Sequence, residues 1–430
     1  MKPPRAVVVG ACVFALVYVL LDLNKLWALR YGADTGTFLQ FLSGEAHGLG
    51  SFNTAENRAH LQVHDSWVLL ALVPLVALFP YAQTLLIVQV LAVAAAALPI
   101  AAFARRCGAS AGAASAVGIA YLLSPSAQGL AYGNFLENVF VPLFAAGGVL
   151  AVARRSLPLS LLCAQLLLGL KEDQALFLVW FGAACALWWD RRIGLSIVAL
   201  AVVNGLGFVL AEHLHGASPS IPGYGLHVIG PLDKLAFFAA VLFPFAFMPL
   251  RLGWRLLLGA PLVAELLFNG PWAYTITRIG THWTASVVIA CALATAYVVG
   301  RTPRAAPWVL GCAIVSALTI NDTVLKPGRW PFVVDRPAYA SAAALRGTQR
   351  TVHVARTDEG VYAVAATDPH LWLDRYDPGA RAAYCPAYDT DARAFFASVG
   401  IGRWPSGTTL CGGVPVALTT FGGTRRSARR

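Results

Sequence analysis

Three consecutive charges, Lys171-Glu172-Asp173, interrupt a long apolar run. An ammonium placed there can neutralise a phosphate, while Glu172 or Asp173 orients it through a metal or hydrogen-bonds a sugar. The plainer reading is a solvated turn between two helices. Such turns favour Gly, Asn, Ser or Pro, and the triplet contains none of them. Asp34 is the second candidate, in Gly32-Ala-Asp-Thr-Gly-Thr-Phe just after the first apolar block. A carboxylate at a water–lipid boundary suits a general base that takes a proton from a hydroxyl. It equally suits an N-cap for the next helix, and one side chain can do both.

Other ionisable groups are weaker candidates. His64-Asp65 could bind a divalent metal, but adjacent residues rarely ligate one ion, so hydrogen bonding or a helix cap fits better. Arg278 and His282 precede a late apolar block, where a cation suits the phosphate of a lipid carrier or simply anchors the interface. Trp272, Tyr274 and Trp283 read as interfacial aromatics, although sugars also stack on such rings. Tyr224 and His227 lie in a Gly/Pro-rich loop. Glu137 lies between two apolar blocks, and Glu45, His47, Glu56 and His60 read as ordinary loop polarity. The chain has no Walker-type phosphate loop, dinucleotide fingerprint or serine-hydrolase elbow.

The elements that must position these residues follow from composition. The chain has 430 residues, of which 58% are hydrophobic and 12% charged, and its mean hydropathy is +0.64. Soluble domains carry about 25% charged residues, so too few charges are present to cover a water-facing surface. The apolar material falls in blocks of about the length that spans a bilayer as a helix. The net charge of +11 sits mostly at the ends of those blocks, which makes it a topology signal and argues against nucleic acid as a partner.

Arg105 and Arg106, Arg154 and Arg155, Arg191 and Arg192, Arg251 and Arg255, and Arg301 and Arg304 close successive apolar segments. Placing these on the cytoplasmic side puts the N-terminus inside. The expected fold is an all-α polytopic membrane protein of about eleven transmembrane helices over residues 1–320. Its first outer loop is 28–80, and Ser66 to Phe79 lies as an interfacial helix ending at Pro80. On this topology Asp34, His64, Asp65, Glu137, Lys171, Glu172, Asp173, Arg278 and His282 all face the outer side. Loops converging from one face are how a helical scaffold builds a polar pocket.

Residues 321–430 are expected to form a small extracytoplasmic α/β domain with a basic tail. Residues 351–355 and 360–366 alternate like strands, and residues 391–399 suit a short helix. Cys12, Cys163, Cys185, Cys291 and Cys312 fall inside apolar blocks and Cys107 beside one. Cys385 and Cys411 share the polar region, where they could form a disulfide if it lies outside the cytoplasm.

Several motifs together resemble a family of bacterial multi-pass membrane proteins of unknown function, itself similar to GT-C glycosyltransferases. Those include protein mannosyltransferases, the aminoarabinose transferase of lipid A and mycobacterial arabinofuranosyltransferases. The family's first-loop motif, about D-L-G-x-F-D-Q, appears here as Asp34-Thr-Gly-Thr-Phe-Leu-Gln40. An H-F-S-P motif appears as His64-Asp-Ser-Trp67, and F-H-P-E as Asn134-Phe-Leu-Glu137. Lys171-Glu172-Asp173 matches in full, and H-Y becomes His282-Trp283. The resemblance covers roughly residues 10–320, with a loose match around Asp368-Pro-His-Leu-Trp-Leu-Asp-Arg375. It implies sugar transfer from a polyprenyl-phosphate donor to a glycan, lipid or protein acceptor at the outer face of a bacterial inner membrane. Asp34 would be the base. Lys171, Arg278 and His282 would hold the phosphate, and Glu137, Glu172 and Asp173 would shape the sugar pocket. No metal site is inherited intact, because Leu39 replaces the motif's second acid, although a divalent metal stays open. A transporter or flippase of a lipid-linked saccharide, and a non-catalytic cell-envelope assembly protein, are the competing expectations.

Overall fold

The computed structural model describes residues 2–56, 58–214, 231–268, 279–320, 334 and 336–346, and then the segments 351–355, 360–366, 372–376, 408–411, 414–417 and 420–421. Helix dominates, as the apolar blocks require. Four helices are long and apolar enough to cross a membrane: Arg5–Trp27, Ala82–Arg106, Arg191–Ala211 and His282–Arg301. Lys234–Phe245 and Met248–Glu265, bent by 116° at a break, make a fifth if taken as one span.

Every stretch expected to span is helical, yet length brings the count among the described residues to four, or five with the bent pair. Leu157–Leu168 has 12 residues, a rise of about 18 Å against a hydrocarbon core of about 30 Å. Local chemistry explains one shortening. The expected span over 111–128 stops at Leu123 because Pro125 opens a new helix, capped by Ser124, whose Oγ accepts from the Ala127 N–H. The bent pair turns at Ala246 and Phe247, which hold φ of 49° and 56°. Left-handed backbone costs about 1–2 kcal/mol at each non-glycine residue.

The chain divides into two compact units. The first comprises Met1–Val19, Val88–Gly133 and Glu137–Trp330. Within it the helices Gln174–Trp188 and Arg191–Leu214 approach closely through Gly182 and Gly194. A Cβ on Gly194 would lie 2.2 Å from the Ala186 nitrogen, so only the missing side chain permits the approach. Gly129 in the helix Pro125–Tyr132 meets Gly280 in the same way, at 2.2 Å from a built Cβ to the Gly280 backbone. That contact seats the turn leading into His282. Gly129→Ala is expected to cost about 1–3 kcal/mol by overpacking, read as a lowered unfolding temperature in detergent.

The second unit comprises Leu20–Ile87, Asn134–Leu136 and Pro331–Arg430. Its centre is the helix Ala33–Ala46, buried from Thr35 through Gly44. Trp67–Leu72 and Val73–Leu78 form the short apolar helix expected ahead of Pro80. Thr351–Ala355 is a strand as the alternation suggested, pairing in parallel with Trp372–Tyr376 and with Thr420–Phe421. Gly360–Ala365 is a helix where a strand was expected. The physical reason is its surroundings: residues 360–365 are all buried, so no polar face exists for a two-residue alternation to report, and an Ala-rich run buried all round is stable as a helix. It lies against the Ala33–Ala46 helix, where a Cβ on Gly36 would sit 2.6 Å from the Tyr362 carbonyl carbon. The suggested helix over 391–399 and the side chains of Cys385 and Cys411 lie outside the described residues.

Candidate functional site

In the first unit, the turn between Leu157–Leu168 and Gln174–Trp188 puts Lys171 into a nest of acids. Its Nζ lies 3.8 Å from Glu137 Oε1, with side-chain exposures of 12% and 4%. The same ammonium sits 4.6 Å from the centre of the Trp283 ring, a cation–π contact. Asp173, Glu172 and Glu265 complete the set of carboxylates acting on Lys171. Burial works to lower the Lys171 pKa, but Glu137, then Asp173, Glu172 and Glu265, outweigh it and hold it above its usual value. Lys171 therefore stays charged at neutral pH. Burial pushes the Asp173 carboxyl upward against the pull of Lys171. Asp173 Oδ1 accepts a hydrogen bond from Gln174 Nε2 at 2.9 Å.

Two features make this turn more than a solvated loop. At 3.8 Å the Lys171–Glu137 pair is an ion pair longer than a hydrogen bond, and Glu137 Oε2 is buried with no partner among the described residues. Such unfilled capacity costs about 1–3 kcal/mol per group when buried. Gln174 also lines a cavity of about 630 Å³ whose other walls include Val141, Phe177, Leu178, Phe181 and Ile289. Gln174, bonded to Asp173, thus links the charged nest to a largely apolar hollow of the size class, about 300–1,000 Å³, that holds small ligands. His282 and Trp283 stand together, ring centres 4.7 Å apart, at the start of the His282–Arg301 span.

In the second unit, Asp34 is half-buried in the first turn of Ala33–Ala46. Gly32 takes the N-cap position, so Asp34 is not the cap. Asn134 holds it: Nδ2 donates to Asp34 Oδ2 at 2.9 Å, and Oδ1 accepts from the Gly32 N–H at 2.9 Å. An acid in the first turn also meets the positive end of the helix dipole. The cap reading fails for His64-Asp65 as well. His64 closes the short helix His60–Val63, and Ser66 precedes Trp67–Leu72 without a side-chain cap bond.

The loop residues set aside as ordinary polarity prove organised. His60 is fully buried and its Nδ1 meets Glu56 Oε2 at 2.9 Å. The imidazole stacks on Phe41 at 4.8 Å and meets Phe38 edge-on at 4.9 Å, and His64 lies 5.4 Å away. The spacing His60-Leu-Gln-Val-His64 was the available signal, since residues four apart share a helix face. Burial alone would raise the Glu56 pKa, but hydrogen bonds from His60 and Asn53 and the charges of His60 and His64 lower it below its usual 4.5. A lowered carboxylate stabilises the fold above its unfolded pKa, and that contribution is lost as pH falls through the folded value. The stability gap between wild type and Glu56→Gln is therefore expected to be full at pH 6 and to shrink below about pH 4.5, which thermal unfolding at several pH values would read.

Asn134 and Glu265 are further residues that sequence reasoning missed. Glu265 is a lone acid in the apolar helix Ala260–Phe268, a pattern that marks function by default in membrane segments. Arg278, Trp272, Tyr274, Tyr224 and His227 lie outside the described residues. Among the described residues, no group of three or more His, Cys, Asp or Glu is arranged to hold a metal ion.

Apolar helices of spanning length, with ionisable groups gathered beside them, define a helical membrane protein. Residues 25–211 match a family described as "Predicted membrane protein (DUF2079)". That stretch, less than half of the 430 residues, carries Asp34, Glu56, His60, Asn134, Glu137 and the Lys171–Asp173 turn. It stops short of Glu265 and His282. No curated protein matches the chain.

Proposed function

We propose that this protein is a membrane glycosyltransferase of the GT-C type, transferring a sugar from a polyprenyl-phosphate donor to a glycan, lipid or protein acceptor at the outer face of a bacterial inner membrane. The observation that carries this reading is the charged Lys171 nest, linked through Gln174 to an apolar cavity. A polyprenyl phosphate has that same division into an apolar chain and a charged head. Lys171 meets the phosphate as charge develops on the leaving group. Glu137, Glu172 and Asp173 hydrogen-bond sugar hydroxyls, which explains why acids outnumber the cation. Trp283 stacks on the sugar, with His282 beside it and Arg278 as a second cation. Asp34 is the base, on the strength of the motif it matches and of its hydrogen bond to Asn134. His64 and Asp65 contribute to substrate binding.

The test is transfer of radiolabelled sugar from a panel of polyprenyl-phosphate donors by full-length protein in vesicles. Product on endogenous or added acceptor is the expected result. One observation favours a second reading, a lipid-saccharide transporter: the broken pair Lys234–Phe245 and Met248–Glu265, since transporters use discontinuous helices. Donor movement across the bilayer without product would replace the enzyme by that alternative.

A further inference from the structure

The cavity has a second polar end. Its lining runs along the 174–188 helix from Gln174 through Phe181 to Trp189, about 22 Å of helix. At the Trp189 end the lining includes Arg255 and Tyr297. Arg255 sits 4.9 Å over the Trp254 ring, and Trp254 meets Trp188 edge-on at 4.8 Å. Arg301 lies 3.7 Å over Tyr297. Among the described residues neither arginine has a carboxylate partner. Asp190, beside Trp189, is engaged with the Ile193 N–H.

The wall here is the segment Met248–Gly259, a run of Leu, Trp and Arg whose Leu250, Trp254, Leu256 and Leu257 are exposed. Exposed Leu and Trp beside Arg are the composition of an element lying in a lipid headgroup layer. It is tied to the cavity, since Trp180 Nε1 donates to the Leu257 carbonyl at 2.9 Å. A guanidinium fork matches phosphate oxygens in two directions at once.

We propose that this end of the cavity is a binding site for a phosphate-bearing membrane lipid, its chain lying along the 174–188 helix and its phosphate taken by Arg255, with Arg301 as the second cation. Its charged end is the one opposite the Lys171 nest, while the apolar hollow is the one the proposed function gives to the donor's chain, so the two lipids exclude each other. Lipid binding itself does not depend on sugar transfer. The chemistry recognised is an anionic phosphate on an apolar chain. Both a phospholipid and a prenyl phosphate carry it.

The experiment uses full-length protein in nanodiscs with photoactivatable phosphatidylglycerol or phosphatidylcholine, each with its reactive group at the chain end. Phosphatidylglycerol is expected to label peptides within 174–189 and 248–263 preferentially. Arg255→Gln, at an exposed position, is expected to cut that labelling about tenfold, to the phosphatidylcholine level, through loss of a charge-assisted hydrogen bond. Val263→Trp, at a lining position 40% exposed, is expected to lower labelling by both probes. Excess unlabelled phosphatidylglycerol and farnesyl phosphate compete in separate arms, and the stronger competitor identifies the source. Equal labelling by the two headgroups, labelling outside those segments, or no effect of Arg255→Gln would overturn the proposal. So would failure of both competitors. The wild-type comparison stands even if Val263→Trp does not fold.

Discussion

Asp34→Asn is expected to leave the protein inserted and folded while lowering sugar transfer by about 10²–10⁴-fold, the contribution of a positioned general base. The substitution keeps the shape of the side chain and an oxygen for the Asn134 Nδ2 donor. A structural role through that hydrogen bond would survive it largely intact. A role in taking a proton would not, because a carboxamide has no basic lone pair of comparable strength. The measurement is initial transfer rate at saturating donor, with unfolding temperature recorded alongside. A matched fall in stability and rate would return Asp34 to a structural part. An unchanged rate would remove it from the reaction.

Lys171→Met is expected to lower transfer by about 10²–10³-fold and to destabilise the first unit by about 3–5 kcal/mol, because a largely buried ion pair loses one partner. Its pH dependence distinguishes the cause. In wild type the raised Lys171 pKa contributes stability below the unfolded value of 10.5 and loses it only as pH climbs through the folded one. In the variant, Asp173 loses the Lys171 charge that pulls its carboxyl down, so its folded pKa rises further. Folded chains then bind more protons than unfolded ones, and stability falls as pH rises. The deficit relative to wild type is expected to be larger at pH 8 than at pH 5. A deficit independent of pH would mean that Lys171 acts by packing alone.

Much of the scaffold was legible without coordinates because hydropathy is a local property. The apolar blocks read as helices and are helices. The Lys171-Glu172-Asp173 turn was read from three adjacent charges, and it lies between Leu157–Leu168 and Gln174–Trp188. The strand Thr351–Ala355 follows from its alternation. Element lengths were less legible. Whether an apolar block forms one span or two shorter helices turns on Pro125 and its Ser124 cap, or on left-handed backbone at Ala246 and Phe247, and hydropathy averages over both.

The partnerships are where tertiary structure decided. Asn134 reaches Asp34 across 100 positions, and Glu137 reaches Lys171 across 34. No periodicity encodes such pairings. Gly360–Ala365 became a helix because burial on every side removed the polar face that an alternating strand needs. Glu56 and His60 passed as loop polarity because an acid and an imidazole four residues apart look alike in water and in a core. Burial between Phe38 and Phe41 is what makes their pairing matter. The sequence by itself determined a lipid-embedded helical chain with its charges gathered at a few turns, because partition between water and hydrocarbon acts residue by residue. Which of those charges meet, and that Gln174 links the Lys171 nest to an apolar cavity with Arg255 at its other end, depended on packing between distant segments.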